Sequence, residues 1–192
     1  MDTIDRKTDV SGERTVVILD VRNVICRQSQ EYSNTVIEYG KLLEDTVRGR
    51  DCVAAFAVDG VTYEDGKDVC RIFHENLEKV GFKTILVPAS NNKGKQEGVD
   101  IKIALIAHRF ALLGDCDAIE LITGDGDFGV LVEELKDEGI AVGITSFKAN
   151  LSHSLKDMAD NVSILDIMPI IRMRGDTTRG GGLNVLCQRI PR

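Results

Sequence analysis

Four aspartates and one asparagine carry the chemistry this sequence can do. Asp20 closes the apolar run "TVVILD", and Asn23 follows it by three residues. Asp100 opens an apolar stretch behind the polar loop "ASNNKGKQEG", while Asp125 and Asp127 alternate with glycine in "TGDGDF" just after a second apolar run. These are oxygen donors with no accompanying cysteine or histidine, a set that suits a hard cation such as Mg²⁺ or Mn²⁺ better than zinc. Each acid also has a plainer role. "GDGD" makes a good turn, Asp127 a good helix cap, and Asp100 a favourable charge at a helix start. Asp20 fits such a role least well. A carboxylate at the end of a buried strand carries a desolvation cost unless it is paired or metal-bound, and the sequence offers it no obvious single partner. Gathering further acids around it raises their repulsion, so the cluster makes sense chiefly around a cation.

Whether the acids meet depends on the elements that hold them. Residues 15–21 read as a strand buried on both faces, 33–47 as a helix with apolar residues at Val36, Tyr39, Leu43 and Val47, and 52–58 as a second strand. A helix over 67–80, a strand over 83–88 stopped by Pro88, a helix over 99–113 and a strand over 118–123 follow. The chain then gives a helix over 128–138, a strand over 140–145, a short helix near 151–159 and a strand-like "SILDI". Such alternation predicts an α/β fold with right-handed crossovers, a central, mostly parallel sheet and helices on both faces. Ligands of such sheets bind beyond the carboxyl ends of the strands. Asp20 and Asp125 both belong to that edge, and they converge if the first and fourth strands are neighbours at the switch point.

The 192 residues, 43% hydrophobic, support one core and one domain, expected over 15–170 with a tail over 1–14 and a basic tail over 171–192. From Arg172 onward five arginines face the single acid Asp176, and the glycines bury little, which favours a disordered arm over an added strand. No apolar stretch approaches the roughly 18 residues of a membrane span, and the polar N-terminus is unlike a signal peptide, so a cytoplasmic protein without a membrane partner is expected. Five cysteines without CxxC spacing read as reduced thiols. The net charge of −7 and pI near 5.0 count against nucleic acid as a partner, except that bound divalent ions would change the field where it matters. Aromatic residues are scarce, so no base-stacking platform is evident. The histidines at 74, 108 and 153 lie on expected helices and are assigned no catalytic role, His153 near Ser146 being the one of most interest.

Taken together, "VVILDVRN", "KGKQEGVDIKIALIA", "ITGDGDFGVLVEEL" and "GIAVGITSFKANLSHSLKDMADNVSILD" resemble, in order, the blocks of the NYN domain, a PIN-like nuclease domain of the LabA type. The likeness covers roughly residues 16–167. It implies a three-layer PIN-like, Rossmannoid fold and an acidic cluster that binds Mg²⁺ or Mn²⁺ to cleave RNA. Asp20 matches the aspartate of the first block and Asn23 its asparagine; Asp100 matches the acid that opens the middle helix, and Asp125 and Asp127 the paired acids of the third block. The resemblance gives Thr123 the small hydroxyl position before that pair and Ser146 the one after the fifth strand. It departs at Val21-Arg22, where small, acidic or polar residues are common, and at Val130, where proline often stands. Arg22 brings a cation beside the acids, able to contact phosphate or to weaken metal binding.

The expected function is therefore a metal-dependent ribonuclease, with Asp20 and Asp125 as direct ligands and Asp100 and Asp127 acting partly through water, which Mg²⁺ tends to retain. Lys93, Lys95 and Lys102 flank Asp100 and could hold the RNA backbone, although solvating a loop and a helix face serves them equally well. One alternative is a regulatory RNA- or protein-binding module with the same fold and no turnover. A HAD-like phosphatase with Asp20 as nucleophile is weaker, since that class expects a second acid where Arg22 stands. The chain is also compatible with a homo-oligomer.

Overall fold

A computed structural model of the protein describes residues 12–31, 34–61, 63–64, 67–68, 70–88 and 98–173. In chain order the elements are β1 (Arg14–Asp20), α1 (Val21–Glu31), β2 (Thr35–Ile37), α2 (Tyr39–Val47), β3 (Asp51–Val61), β4 (Tyr63–Glu64), β5 (Lys67–Asp68) and α3 (Arg71–Lys79). They continue with β6 (Lys83–Pro88), α4 (Val99–Leu113), β7 (Ala118–Ile122), α5 (Gly129–Asp137), β8 (Ala141–Ser146), α6 (His153–Met158), β9 (Asn161–Ile164) and β10 (Ile171–Met173).

Six strands form one parallel sheet in the order β6-β3-β1-β7-β8-β9. The chain winds outward from β1 through β3 to β6, then returns across β1 to build β7, β8 and β9. The switch point therefore lies between β1 and β7, which are direct neighbours.

Alternation along β1 splits its side chains between two cores. Val16 and Ile18 pack with Val99, Ile103 and Ala107 of α4, Leu131 and Leu135 of α5, and Leu155 of α6. Val17 and Leu19 pack with Val21 and Val24 of α1, Leu42 of α2, and Phe73 and Leu77 of α3. The result is the expected three-layer α/β architecture, with β1 buried on both faces.

Several boundaries differ from the sequence expectation for physical reasons. The single helix expected over 33–47 is instead β2 followed by α2, because the β-branched Thr35 and Val36 pair antiparallel with β10. α1 follows β1 with no connecting loop and had not been foreseen; its second half, "CRQSQE", carries no apolar stripe. The helix expected from residue 67 begins only at Arg71, after the short β4–β5 hairpin. Where the basic tail was expected, Ile171–Met173 forms a strand on β2; residues 174–192 lie outside the described residues. Cys52 and Cys116 are free thiols, as expected, whereas Cys70 is disulfide-bonded. Among the described residues no helix is long and apolar enough to cross a membrane.

One buried ion pair locks the sheet to the α2–β3 connection. Glu120, 1% exposed in the middle of β7, accepts from Arg50, whose guanidinium also donates to Val47 O (3.0 Å) and Thr46 O (2.9 Å). Gly143 stands opposite Glu120 on β8, and a Cβ there would lie 2.2 Å from Oε2 of Glu120, so the glycine makes room for the carboxylate. Burial raises the Glu120 pKa and Arg50 opposes that shift. Replacing Arg50 by methionine leaves the carboxylate buried alone and is expected to cost about 3–5 kcal/mol in urea unfolding, most of it recovered in the Arg50→Met, Glu120→Gln double variant.

Candidate active site

Asp20 is the last residue of β1 and only 5% exposed. It has the parity of Val16 and Ile18, so its carboxylate faces the layer of α4 and α5. The pairing of Leu19 with Ile122 brings the end of β1 beside Thr123. Thr123 Oγ1 donates to Asp20 Oδ2 (3.1 Å), and the amide of Asn23, in the first turn of α1, donates to Oδ1 (3.1 Å). The absence of a loop between β1 and α1 is what puts that amide within reach.

The glycine-rich turn is built onto the same network. Asn23 Oδ1 accepts from the Gly124 amide (3.0 Å) and from Asn150 Nδ2, and Thr123 Oγ1 accepts from the Asp125 amide (3.3 Å). Asp125 Oδ1 in turn caps the one-turn 3₁₀ helix Gly126–Phe128 by accepting from the Asp127 amide (3.1 Å). Gly124 O accepts from the Ser152 amide (3.1 Å). No side chain fits at Gly124, since a Cβ would lie 2.4 Å from Asn150 O and 2.5 Å from Ser146 Oγ.

The carboxylates share one electrostatic field. Burial pushes the Asp20 carboxyl up from 3.8 to about 6; the Asn23 amide and Thr123 hydroxyl oppose this, and the charges of Asp100 and Asp125 reinforce it. Asp100, in the exposed first turn of α4, is raised by partial burial and then by Asp125 and Asp127. The acids are close enough to perturb one another without closing on a point. Among the described residues no three of these carboxylates come within 4.8 Å of one another; His108, Glu134 and Glu138 do.

The remaining residues singled out in the sequence are more scattered. Arg22 turns away from the acids: its Nε donates to Asp59 Oδ1 (3.1 Å) and its Nη2 to Gly60 O (3.0 Å). Ser146 is 1% exposed beneath Gly124, its hydroxyl donating to Phe147 O (3.3 Å). Lys102 is exposed two residues beyond Asp100, about 200° around α4 from it. Lys93 and Lys95 lie outside the described residues.

Three contributors were not singled out in the sequence. Asn150 and Ser152 brace Asn23 and Gly124, and their only signal was the polar stretch "ANLSHS". Asp59 stands at the same carboxyl edge on β3 but has the parity of Ala55 and Ala57, so it faces the α1–α3 layer, where it meets Arg22 and His74 Nε2 (3.0 Å). Nδ1 of His74 contacts Asp68; burial pushes this histidine's pKa down, but its two carboxylate partners outweigh that and raise it.

The chain matches the family model of the NYN domain over residues 14–166. Among solved structures, a protein of unknown function from Vibrio parahaemolyticus is similar at 27% identity and a TM-score of 0.71, over 84% of this chain and 97% of that one. The structure of Acinetobacter baumannii MurG aligns at 14% identity and a TM-score of 0.39, over 78% of this chain and 40% of that one. No curated protein matches this sequence.

Gly124→Ala is expected to lower unfolding stability by about 1–3 kcal/mol through overpacking against Asn150 and Ser146, read as a fall in the urea midpoint. In EDTA, the Asp20 carboxyl is expected to titrate near 6 by NMR, with a lower midpoint in Asp125→Asn. Because the folded value is raised, the stabilisation from Asp20 is complete below pH 3.8 and is lost as the pH rises through about 6. The metal-free Asp20→Asn protein should thus be more stable than the parent at pH 8, by up to about 3 kcal/mol, with the gain shrinking toward pH 4.

Proposed function

The chain belongs to the NYN domain family of PIN-like nuclease domains, and on that premise we propose that it hydrolyses RNA phosphodiester bonds at the β1–β7 switch point with Mg²⁺ or Mn²⁺ as cofactor. The observation that carries the reading is Asp20: a buried carboxylate with no cationic partner among the described residues, pushed to about 6 by burial and by two further acids. A structural acid in such a place is ordinarily paired, as Asp59 is. Groups perturbed by desolvation and like charge in a cleft mark functional sites.

The donor set fits a hard divalent ion. Asp20, Asp100, Asp125 and Asp127 offer only carboxylate oxygens, and their mutual repulsion falls when a cation enters. In this proposal Asp20 and Asp125 would hold it directly, with Asp100 and Asp127 acting partly through water. When bound, such an ion acidifies water and offsets the charge that builds on the phosphoryl oxygens.

The chain's own groups do the positioning. The Asn23 amide and Thr123 hydroxyl hold the Asp20 carboxylate in one rotamer. The Asp125–Asp127 cap fixes the turn. Asn23 joins the two halves by accepting from Gly124 and Asn150. Lys102, together with Lys93 and Lys95, is proposed to contact the RNA backbone; Arg22 serves α1 and β3 instead, because its fork is engaged by Asp59 and Gly60. Uncompensated acids repel phosphate, so RNA association itself should require the cation.

The test is cleavage of labelled single-stranded and structured RNA in Mg²⁺, Mn²⁺ or EDTA. Cleavage is expected only with metal, with Asp20→Asn and Asp125→Asn each lowering the rate by at least about a hundredfold. Equal RNA binding in EDTA without cleavage would replace this reading with a regulatory module. Turnover of small phosphomonoesters through a trapped aspartyl-phosphate at Asp20 would replace it with a phosphatase.

A further inference from the structure

A second group of donors lies on the outer surface of the α4–α5 pair, away from the switch point. His108, in the third turn of α4, and Glu134 and Glu138, one turn apart at the end of α5, bring one ligand atom each within 4.8 Å of one another. His108 Nε2 is 3.0 Å from Glu138 Oε1. The helices are rigidly joined beneath them, with Ile103 and Ala107 of α4 in the same core as Leu131 and Leu135 of α5. The three donors are thus held by packed elements rather than by a loop.

A hydrogen bond between His108 and Glu138 accounts for two of these groups but leaves a net negative charge. Carboxylates at i and i+4 on a helix repel, and both sit at the negative end of the α5 dipole, where Glu138 forms the C-cap. Among the described residues no lysine or arginine pairs with either glutamate. The neighbouring cation, Lys136, is committed to Asp160 Oδ1 (2.8 Å) and Met158 O (2.8 Å). The place offers an imidazole nitrogen and two carboxylate oxygens within reach of one ion.

We propose that His108, Glu134 and Glu138 form a transition-metal site, of the class that takes Zn²⁺ or Co²⁺, bridging α4 and α5. One nitrogen and two oxygens make a softer set than the four aspartates, and three protein ligands leave the remaining coordination to water. His108 lies about 12 Å along α4 from Asp100, so the two sites do not share ligands. A cation here ties together the helices whose N-terminal ends carry Asp100 and follow Asp127. Its role is to clamp that spacing, and its existence does not depend on the nuclease reading.

The test uses the full metal-free chain carrying Asp20→Asn and Asp125→Asn, so that the two acids proposed as direct ligands at the switch point no longer compete. Calorimetric titration with Zn²⁺ is expected to show one equivalent bound, with a rise in Tm and, for Co²⁺, a visible absorption band from mixed nitrogen and oxygen coordination. Adding His108→Ala or Glu134→Gln should weaken binding by at least about tenfold and abolish the Tm rise. Both side chains are at the surface, so circular dichroism should show an unchanged fold. Zn²⁺ affinity that survives His108→Ala, or no stoichiometric binding in the Asp20→Asn, Asp125→Asn parent, would overturn the proposal, and neither readout depends on RNA cleavage.

Discussion

An ionisable carboxylate held at the end of a strand buried on both faces is the constraint around which this structure is arranged. Asp20 is nearly inaccessible, and water cannot stabilise its charge. A backbone amide and a hydroxyl do part of that work, each satisfying one oxygen. The fold then adds like charge, because Asp100 and Asp125 both raise the Asp20 pKa. In the metal-free chain that combination opposes folding, so the packing of β1 between two cores must carry it.

The same sheet edge shows how a buried acid is handled when it serves only the architecture. Asp59 is as buried as Asp20, yet it faces the other layer and is met there by a guanidinium and an imidazole. Parity decides between the two outcomes. Side chains alternate across a strand, so Asp20 projects into the layer that delivers further acids, and Asp59 into the layer that delivers Arg22 and His74. Glu120, in the middle of β7, repeats the architectural solution with Arg50.

The parallel sheet was legible because most of its strands are short and apolar, and because α4 has a clear start at Gly98 and stop at Gly114. The relation of Asp20 to Asp125 was expected on the condition that the first and fourth strands are neighbours, a condition the pairing of β1 with β7 meets. Polar pairings across long sequence separations were not legible. Nothing near Arg22 in the chain announces Asp59, thirty-seven residues away, and nothing near Asn23 announces Asn150, separated by 127. The α1 helix was hidden because the strand runs into it without a turn, and β2 because its partner β10 lies at the far end of the described chain.

The pairing of β1 with β7 also has a consequence in time. Thr15 faces Ala118, so closing this contact spans about a hundred residues and comes late on a topology-limited folding route. A growing chain can lay β3 beside β1 and β6 beside β3, yet Asp20 has no acidic companion from the end of β7 until the stretch through Asp127 has emerged and docked. Asn150 and Ser152, which brace the turn, arrive later still. Chain order thus delays the electrostatic conflict until most of the hydrophobic framework able to bear it is in place.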